Sequence, residues 1–308
     1  MRNTVINKVG ELMKNDENIF LLTADLGYGV FDEVIKLYPE RCLNVGIAEQ
    51  NMIGIASGLA LSGKKVFCYS IVPFVTMRCY EQIRVDICTH NLDVTLIGIG
   101  GGFAYGTLGN THYGLEDINL MRGLPNMRIF SPSDKVEIEV GFNILQKEKS
   151  PTYIRLNRGG EENVHNIGDI NKNDIINGVE ITDGKNLIIF STGQITMVAK
   201  EVAIELQKEG MSAKVISIPF IKPINVESIL KHIEGFDKVV TLEEHTIIGG
   251  LGSVISEIIA ENNINVNFKR LGIKDKFFYL TGNQEYMRTM AGIDKNSVLD
   301  EIKILLKS

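Results

Sequence analysis

The stretch Leu43-Asn44-Val45-Gly46-Ile47-Ala48-Glu49-Gln50-Asn51 decides how this chain reads. Its apolar start and its glycine predict a short buried strand that ends in a turn. Met52, Ile53, Ile55, Ala56, Leu59 and Ala60 then follow at helical spacing, so a helix begins near Glu49. Such a strand–glycine–helix junction belongs to an α/β sheet, whose ligands gather at the strand ends. Glu49 falls on the first turn of that helix, where a carboxylate either complements the helix dipole or serves chemistry. Taken alone, the residue leaves both roles open.

The same alternation runs outward from this junction. Continuous apolar runs predict strands over 19–24, 43–46, 65–69, 94–99, 127–130 and 152–155. Amphipathic stretches lie between them, such as 134–146 with Val136, Ile138, Val140 and Ile144 as apolar markers. Strands apolar on both sides, separated by helices, imply a mainly parallel sheet covered on both faces. A polar, Asn- and Gly-rich stretch follows over 161–177, with a linker expected at 166–177. A second strand–helix series then predicts strands over 187–191, 214–217, 238–242 and 265–270 and a closing helix over 298–306. The fold class is therefore α/β, with two domains at 1–165 and 178–308, each a mainly parallel sheet flanked by helices.

Composition narrows the function. With 308 residues and 44% hydrophobic content the chain has material for two packed cores. The net charge of −6 comes without any Lys/Arg block, which argues against nucleic acid as a partner. There is no apolar run of spanning length and no secretory signal, so a cytoplasmic protein without membrane contact is expected. Cys42, Cys68, Cys79 and Cys88 form no Cys-x-x-Cys pair and read as free thiols rather than metal ligands. The segment Gly98-Ile99-Gly100-Gly101-Gly102-Phe103-Ala104-Tyr105-Gly106 follows a strand but lacks both the Gly-x-Gly-x-x-Gly register and a Gly-Lys-Ser/Thr end. It reads as a flexible loop that carries His112 over a pocket.

A series of motifs then runs in order. Gly46-Ile47-Ala48-Glu49-Gln50 is followed by Gly58-Leu59-Ala60, Tyr69-Ser70 and Phe74. Gly109-Asn110-Thr111-His112, Glu116-Asp117, Leu124-Pro125-Asn126-Met127 and Ser131-Pro132-Ser133-Asp134 come next. Arg155-Leu156-Asn157-Arg158-Gly159 and Glu243-Glu244-His245 with Gly249-Gly250-Leu251-Gly252-Ser253 complete it. Nearly end to end, the chain resembles the C-terminal half of a transketolase, and it is similar to the matching part of 1-deoxyxylulose-5-phosphate synthase.

The resemblance implies a pyrimidine-binding domain followed by a transketolase C-terminal domain, and thiamine diphosphate as cofactor. The family's third domain holds the diphosphate and a divalent metal, Mg2+ or Ca2+, through a Gly-Asp-Gly…Asn motif. That motif is missing here: Gly168-Asp169 runs into Ile170, and Asp183-Gly184 lacks the preceding glycine. The implied partner is a separate N-terminal subunit that supplies the diphosphate and metal site, in a dimer of heterodimers. By the same match Glu49 hydrogen-bonds the aminopyrimidine and Phe74 stacks on it, while Asp25 and Leu26 lie beside the thiazolium. His112 faces the sugar donor, and Arg158 and Arg2 hold its phosphate; a guanidinium fork suits phosphate oxygens.

The chain departs from the pattern at three substrate contacts. Transketolases place an Asp four residues before the histidine, a phosphate-binding His twelve before it, and a Ser four after the Asp of the thiazolium strand. Here these places hold Leu108, Gly100 and Gly29. The expected activity is transfer of a two-carbon ketol unit between sugar phosphates, with an altered sugar. Decarboxylating thiamine chemistry, as in 1-deoxyxylulose-5-phosphate synthase or a 2-oxoacid dehydrogenase beta subunit, and a non-catalytic subunit are the competing readings.

Overall fold

The computed structural model describes residues 1–27, 29–166, 168 and 170–307; Asp169, named above in the motif search, lies outside them. Two sheets organise the chain. The first takes β1 (Ile19–Thr23), β2 (Cys42–Asn44), β3 (Lys65–Ile71), β4 (Val94–Ile99), β5 (Arg128–Phe130) and β6 (Thr152–Leu156). The second takes β7 (Val179–Thr182), β8 (Leu187–Thr192), β9 (Ala213–Ser217), β11 (Lys238–Thr246) and β12 (Asn267–Ile273). The remaining strand, β10 (Phe220–Lys222), crosses back to the first sheet. The strand orders are β10-β5-β6-β4-β3-β1-β2 and β12-β11-β8-β9-β7. All pairings are parallel except those of β10 with β5 and β7 with β9. Helices cover both faces of the first sheet, which is why β3 and β4 are apolar without alternation and buried along nearly their whole length.

The structure corrects several local expectations. The run after Cys42 is not a buried strand: β2 stops at Asn44 and lies at the sheet edge with its residues half-exposed or exposed. The stretch expected as linker contains the helix Lys172–Asn177, started by a reciprocal capping box between Asn171 and Asp174. Residues Phe220 and Lys222 pair with Phe130 and Ile129, so a segment from the later half of the chain extends the first sheet. Three residues without alternation gave no sequence signal for that strand. No helix among the described residues is long and apolar enough to cross a membrane.

The two sheets are tied together at the end of β11, where three consecutive side chains have separate jobs. Glu243 accepts Leu251 N at 2.8 Å and Gly252 N at 2.9 Å and so caps the helix Leu251–Glu261. A Cβ at Gly250 would come within 2.0 Å of the Glu243 carboxylate, which accounts for glycine there. Glu244 reaches across to the first sheet's loops, accepting Phe103 N at 2.8 Å and pairing with Arg288. His245 is fully buried; its Nδ1 lies 2.8 Å from Thr246 O, and its Nε2 lies 3.4 Å from the backbone N of Asn119. Those partners fit a neutral ring with the proton on Nδ1.

Across from them, Arg155 at the end of β6 is 7% exposed. Its Nε donates to Asp117 at 2.8 Å, and its Nη2 donates to Gly114 O at 2.8 Å and Glu244 O at 3.0 Å. Tyr153 donates its hydroxyl to the same Asp117 oxygen at 2.7 Å. A buried guanidinium needs such acceptors to offset its desolvation.

Burial holds His245 neutral and pushes its pKa down to about 4. The folded state therefore binds fewer protons than the unfolded chain between pH 4 and about 6.5. The stabilisation is complete above that range and is lost as pH falls through it. Neighbouring Glu243, raised by burial to about 7, acts in the opposite sense, so a variant comparison is needed to isolate the histidine. In urea titrations, the stability advantage of the native chain over His245→Gln is expected to shrink by about 3 kcal/mol between pH 7 and pH 4. A constant difference would show that the ring is not held neutral.

Candidate active site

Glu49 opens the helix Glu49–Leu61 just beyond the end of β2. Gly46, at φ +74°, turns the chain, and no side chain caps the helix at Ala48. The carboxylate folds inward and is 2% exposed. Ser70, on β3, donates to it at 3.3 Å, and the Arg78 guanidinium pairs with it at 2.7 Å. Arg78 lies in the turn that follows the short helix Val72–Val75, and its guanidinium sits 4.3 Å from the centroid of the Phe74 ring. A flat cation thus occupies the space between a buried carboxylate and an aromatic face.

The side of this space is formed by His112, whose ring meets Phe74 edge-on at 5.2 Å. His112 ends a short turn, Asn110–His112, that follows Gly109 at φ +84°. Its Nδ1 lies 2.9 Å from Thr111 Oγ1, and burial lowers its pKa. The glycine-rich segment that carries it is not the free loop expected from composition. Gly102 and Gly114 exchange backbone hydrogen bonds of 2.8 and 3.0 Å across its base. Tyr113 donates to Leu280 O at 2.6 Å, and Gly282 N donates to Gly106 O at 3.2 Å, so the second domain clamps the loop. Glycine is needed at 102 because φ is +65° and a Cβ would strike the Glu244 side chain at 2.5 Å.

Arg2 and Arg158, far apart in sequence, line one cavity of about 360 Å³ with Gly159 and Gly160. Arg2 lies on the first turn of the helix Arg2–Asn15, and its Nε is buried with no hydrogen-bond partner among the described residues. The Arg158 guanidinium lies 5.7 Å from the Tyr105 ring centroid, and that ring lies 6.4 Å from His112. Tyr105 therefore connects the histidine end of the site to the arginine end. A larger cavity of about 850 Å³ between the domains also touches Arg158, but Arg288 within it is already paired with Glu244.

Asp25 and Leu26 stand one step away, at the turn after β1. Asp25 has φ +56° and exchanges two 3.0 Å hydrogen bonds with the Asn44 side chain, which also accepts Gly46 N. Thr23 holds Leu26 through its backbone, and the Leu26 side chain packs on the apolar cluster that contains Tyr69 and Ile99. Among the departures noted above, Leu108 is 52% exposed, and Gly29 and Gly100 both have positive φ. Sequence reasoning quoted Ser70 and Tyr105 within motifs without giving them a role, and passed over Arg78. Arg78 lies in the turn after the short helix Val72–Val75, so helical spacing gave no signal for its contact with Phe74.

Two family matches cover most of the chain: "Transketolase, pyrimidine binding domain" over residues 1–160 and "Transketolase, C-terminal domain" over residues 177–298. The chain is 33% identical to a subunit of the apulose-4-phosphate transketolase of Actinobacillus succinogenes, over 97% of this chain and 96% of that one. It is 36% identical to a putative transketolase C-terminal section of Methanocaldococcus jannaschii, over 95% and 92%. A solved structure described as a split gene transketolase, inactive beta4 tetramer, superposes with a TM-score of 0.89 at 32% identity and covers 99% of this chain and 98% of that one.

The Glu49–Arg78 pair has one exposed partner, Arg78 being 43% exposed, so solvent screens it and its contribution is modest. Arg78→Met leaves a buried carboxylate with Ser70 as its sole remaining donor among these contacts. The variant is expected to lose about 1 kcal/mol in urea unfolding at pH 7. Unchanged stability would mean that the pair does not hold Glu49 in place.

Proposed function

This chain belongs to the transketolase family, with the make-up of the C-terminal subunit of a two-chain transketolase-type transferase. From that premise we propose that it supplies the aminopyrimidine half of a thiamine diphosphate site and the phosphate-binding half of a sugar site. A separate N-terminal subunit supplies the diphosphate site and its Mg2+ or Ca2+, and the two chains form a dimer of heterodimers in the cytoplasm. The observation that carries this reading is the flat Arg78 guanidinium held between Glu49 and Phe74. It stands in for a planar nitrogen ring that would stack on Phe74 and hydrogen-bond the buried carboxylate. With Arg78 swung outward, a planar ring in its place would meet the same carboxylate and the same aromatic face, and Arg78 is 43% exposed.

When bound, the cofactor supplies a stabilised carbon nucleophile for ketol transfer. The work of this chain's residues is the one the family resemblance implies, and their surroundings are compatible with it. Glu49, shielded from water beside Ser70 of β3, would hydrogen-bond the pyrimidine ring nitrogen. Phe74 orients the ring by stacking. Asp25 and Leu26 shape the strand end beside the thiazolium. His112, neutral near pH 7 because burial lowers its pKa, exchanges a hydrogen bond or a proton with a hydroxyl of the sugar. Arg2 and Arg158 fasten the phosphate at the far end. Leu108 offers nothing to a sugar hydroxyl, so the donor differs there from that of housekeeping transketolases.

In the reconstituted pair, Glu49→Gln is expected to reduce ketol transfer at least about 100-fold while leaving the circular dichroism spectrum and melting point near the native values. Full activity of that variant would favour a non-catalytic subunit. A coupled assay with xylulose 5-phosphate and ribose 5-phosphate addresses the sugar. Slow turnover relative to a housekeeping transketolase is expected, and equal turnover would remove the case for an altered substrate. Release of carbon dioxide from a 2-oxoacid would favour the decarboxylating reading instead.

A further inference from the structure

Position 100 holds a glycine where the family resemblance calls for a phosphate-binding side chain, and the structure shows what fills the space. Gly100 has φ +94°, and a Cβ built there would lie 2.3 and 2.4 Å from two ring carbons of Tyr105. The missing side chain at 100 and the ring at 105 are therefore one arrangement: the phenol lies where a side chain at 100 would go. Only glycine permits both that backbone conformation and that approach.

The surroundings of this ring are those of a ligand contact. Tyr105 is half-buried, with His112 at 6.4 Å on one side and the Arg158 guanidinium at 5.7 Å over its face. Arg2 and Arg158 both act electrostatically on its hydroxyl, yet burial dominates and raises its pKa, so the group stays protonated and is a donor. No hydrogen bond of that hydroxyl is found among the described residues, whereas Tyr113 in the same loop spends its own on Gly106 O and Leu280 O. Nearby, Arg2 Nε is also buried without a partner. Arg2 and Arg158 line the cavity of about 360 Å³, and the Tyr105 ring adjoins it under Arg158, within the electrostatic reach of both; Arg2 also bonds Tyr69, which leaves its Nε and the Tyr105 hydroxyl as the donors with spare capacity. An anion satisfies all of them at once.

We propose that Tyr105 is a substrate-contacting residue whose hydroxyl donates to the anionic group held by Arg2 and Arg158, from the space that Gly100 leaves open. The identification of that group as a sugar phosphate rests on the transketolase reading. The subsite itself is built wholly from this chain. A neutral phenol in this place also gives the subsite a donor that does not titrate near neutral pH.

The test begins with the full chain and inorganic phosphate, titrated by calorimetry and by amide shifts of Gly159 and Gly160. Tyr105→Phe keeps the ring over Gly100 and is expected to weaken phosphate binding about tenfold at an unchanged melting temperature. Arg158→Ala serves as the comparator for a lost guanidinium. Equal phosphate affinity of Tyr105→Phe and the native chain, or no phosphate binding by the native chain, overturns the proposal. In the reconstituted two-chain enzyme the same variant is expected to raise KM for a phosphorylated ketose about tenfold, with kcat within about twofold and no change for an unphosphorylated ketose. A kcat effect shared by both ketoses would make Tyr105 a support for the loop rather than a contact. Weaker phosphate binding by the variant, combined with no ketol transfer by the native pair, would sink the transketolase reading and leave the anion contact standing.

Discussion

The buried guanidinium of Arg155 is the constraint on which the rest of this structure depends. Inside the protein its N–H groups need acceptors, and Nε and Nη2 find them in Asp117 and in the backbone carbonyls of Gly114 and Glu244. Those acceptors come from the first sheet's loops and from the last strands of the second sheet, so satisfying one side chain fixes the two halves of the chain against each other. Removing one partner of such a pair costs about 3–5 kcal/mol, because the other charge stays buried. Asp117 also takes the Tyr153 hydroxyl, and Glu244 takes the backbone of Phe103. The same network therefore pins the glycine-rich loop that carries Tyr105 and His112.

That pinning explains how a segment rich in glycine holds Tyr105 and His112 in place. Its glycines are positions where backbone and neighbouring side chains approach too closely for a Cβ, not sites of free movement. The loop leaves its anchor at Gly102, returns at Gly114, and sets His112 against Phe74. On the other side of Phe74 the Glu49 carboxylate is held out of water by Ser70 and Arg78. The site is therefore preorganised at its acid and at its aromatic wall, while the group between them, Arg78, is the exposed and replaceable one. On the function proposed above, a planar nitrogen ring would replace an ion pair and a cation–π contact with a hydrogen bond and a stack.

Much of this was legible in the chain itself. Continuous apolar runs alternating with amphipathic stretches dictate two helix-covered parallel sheets, and the turn at Gly46 places Glu49 at a helix start. Motif order carried the family, and with it the expectation that Glu49, Phe74, His112 and the two arginines share a purpose. Local edges were less legible. Asn171 and Asp174 start a helix through reciprocal side-chain bonds that a polar composition conceals. The three residues of β10 have no periodicity of their own; they are a strand because β5 offers an open edge.

Residue types and their order thus determined the sheet class, the family and which carboxylate stands at a helix start, since hydrophobic pattern and turn residues are local consequences of side-chain chemistry. Only the tertiary structure decided that Arg78 fills the space between Glu49 and Phe74, that Tyr105 occupies the volume Gly100 vacates, and that Arg2 and Arg158 face one cavity. Those are relations between residues distant along the chain or turned by positive-φ glycines. Their geometry is set by where the buried charges of Asp117, Arg155 and Glu244 can all be neutralised together, a condition that no single stretch of sequence contains.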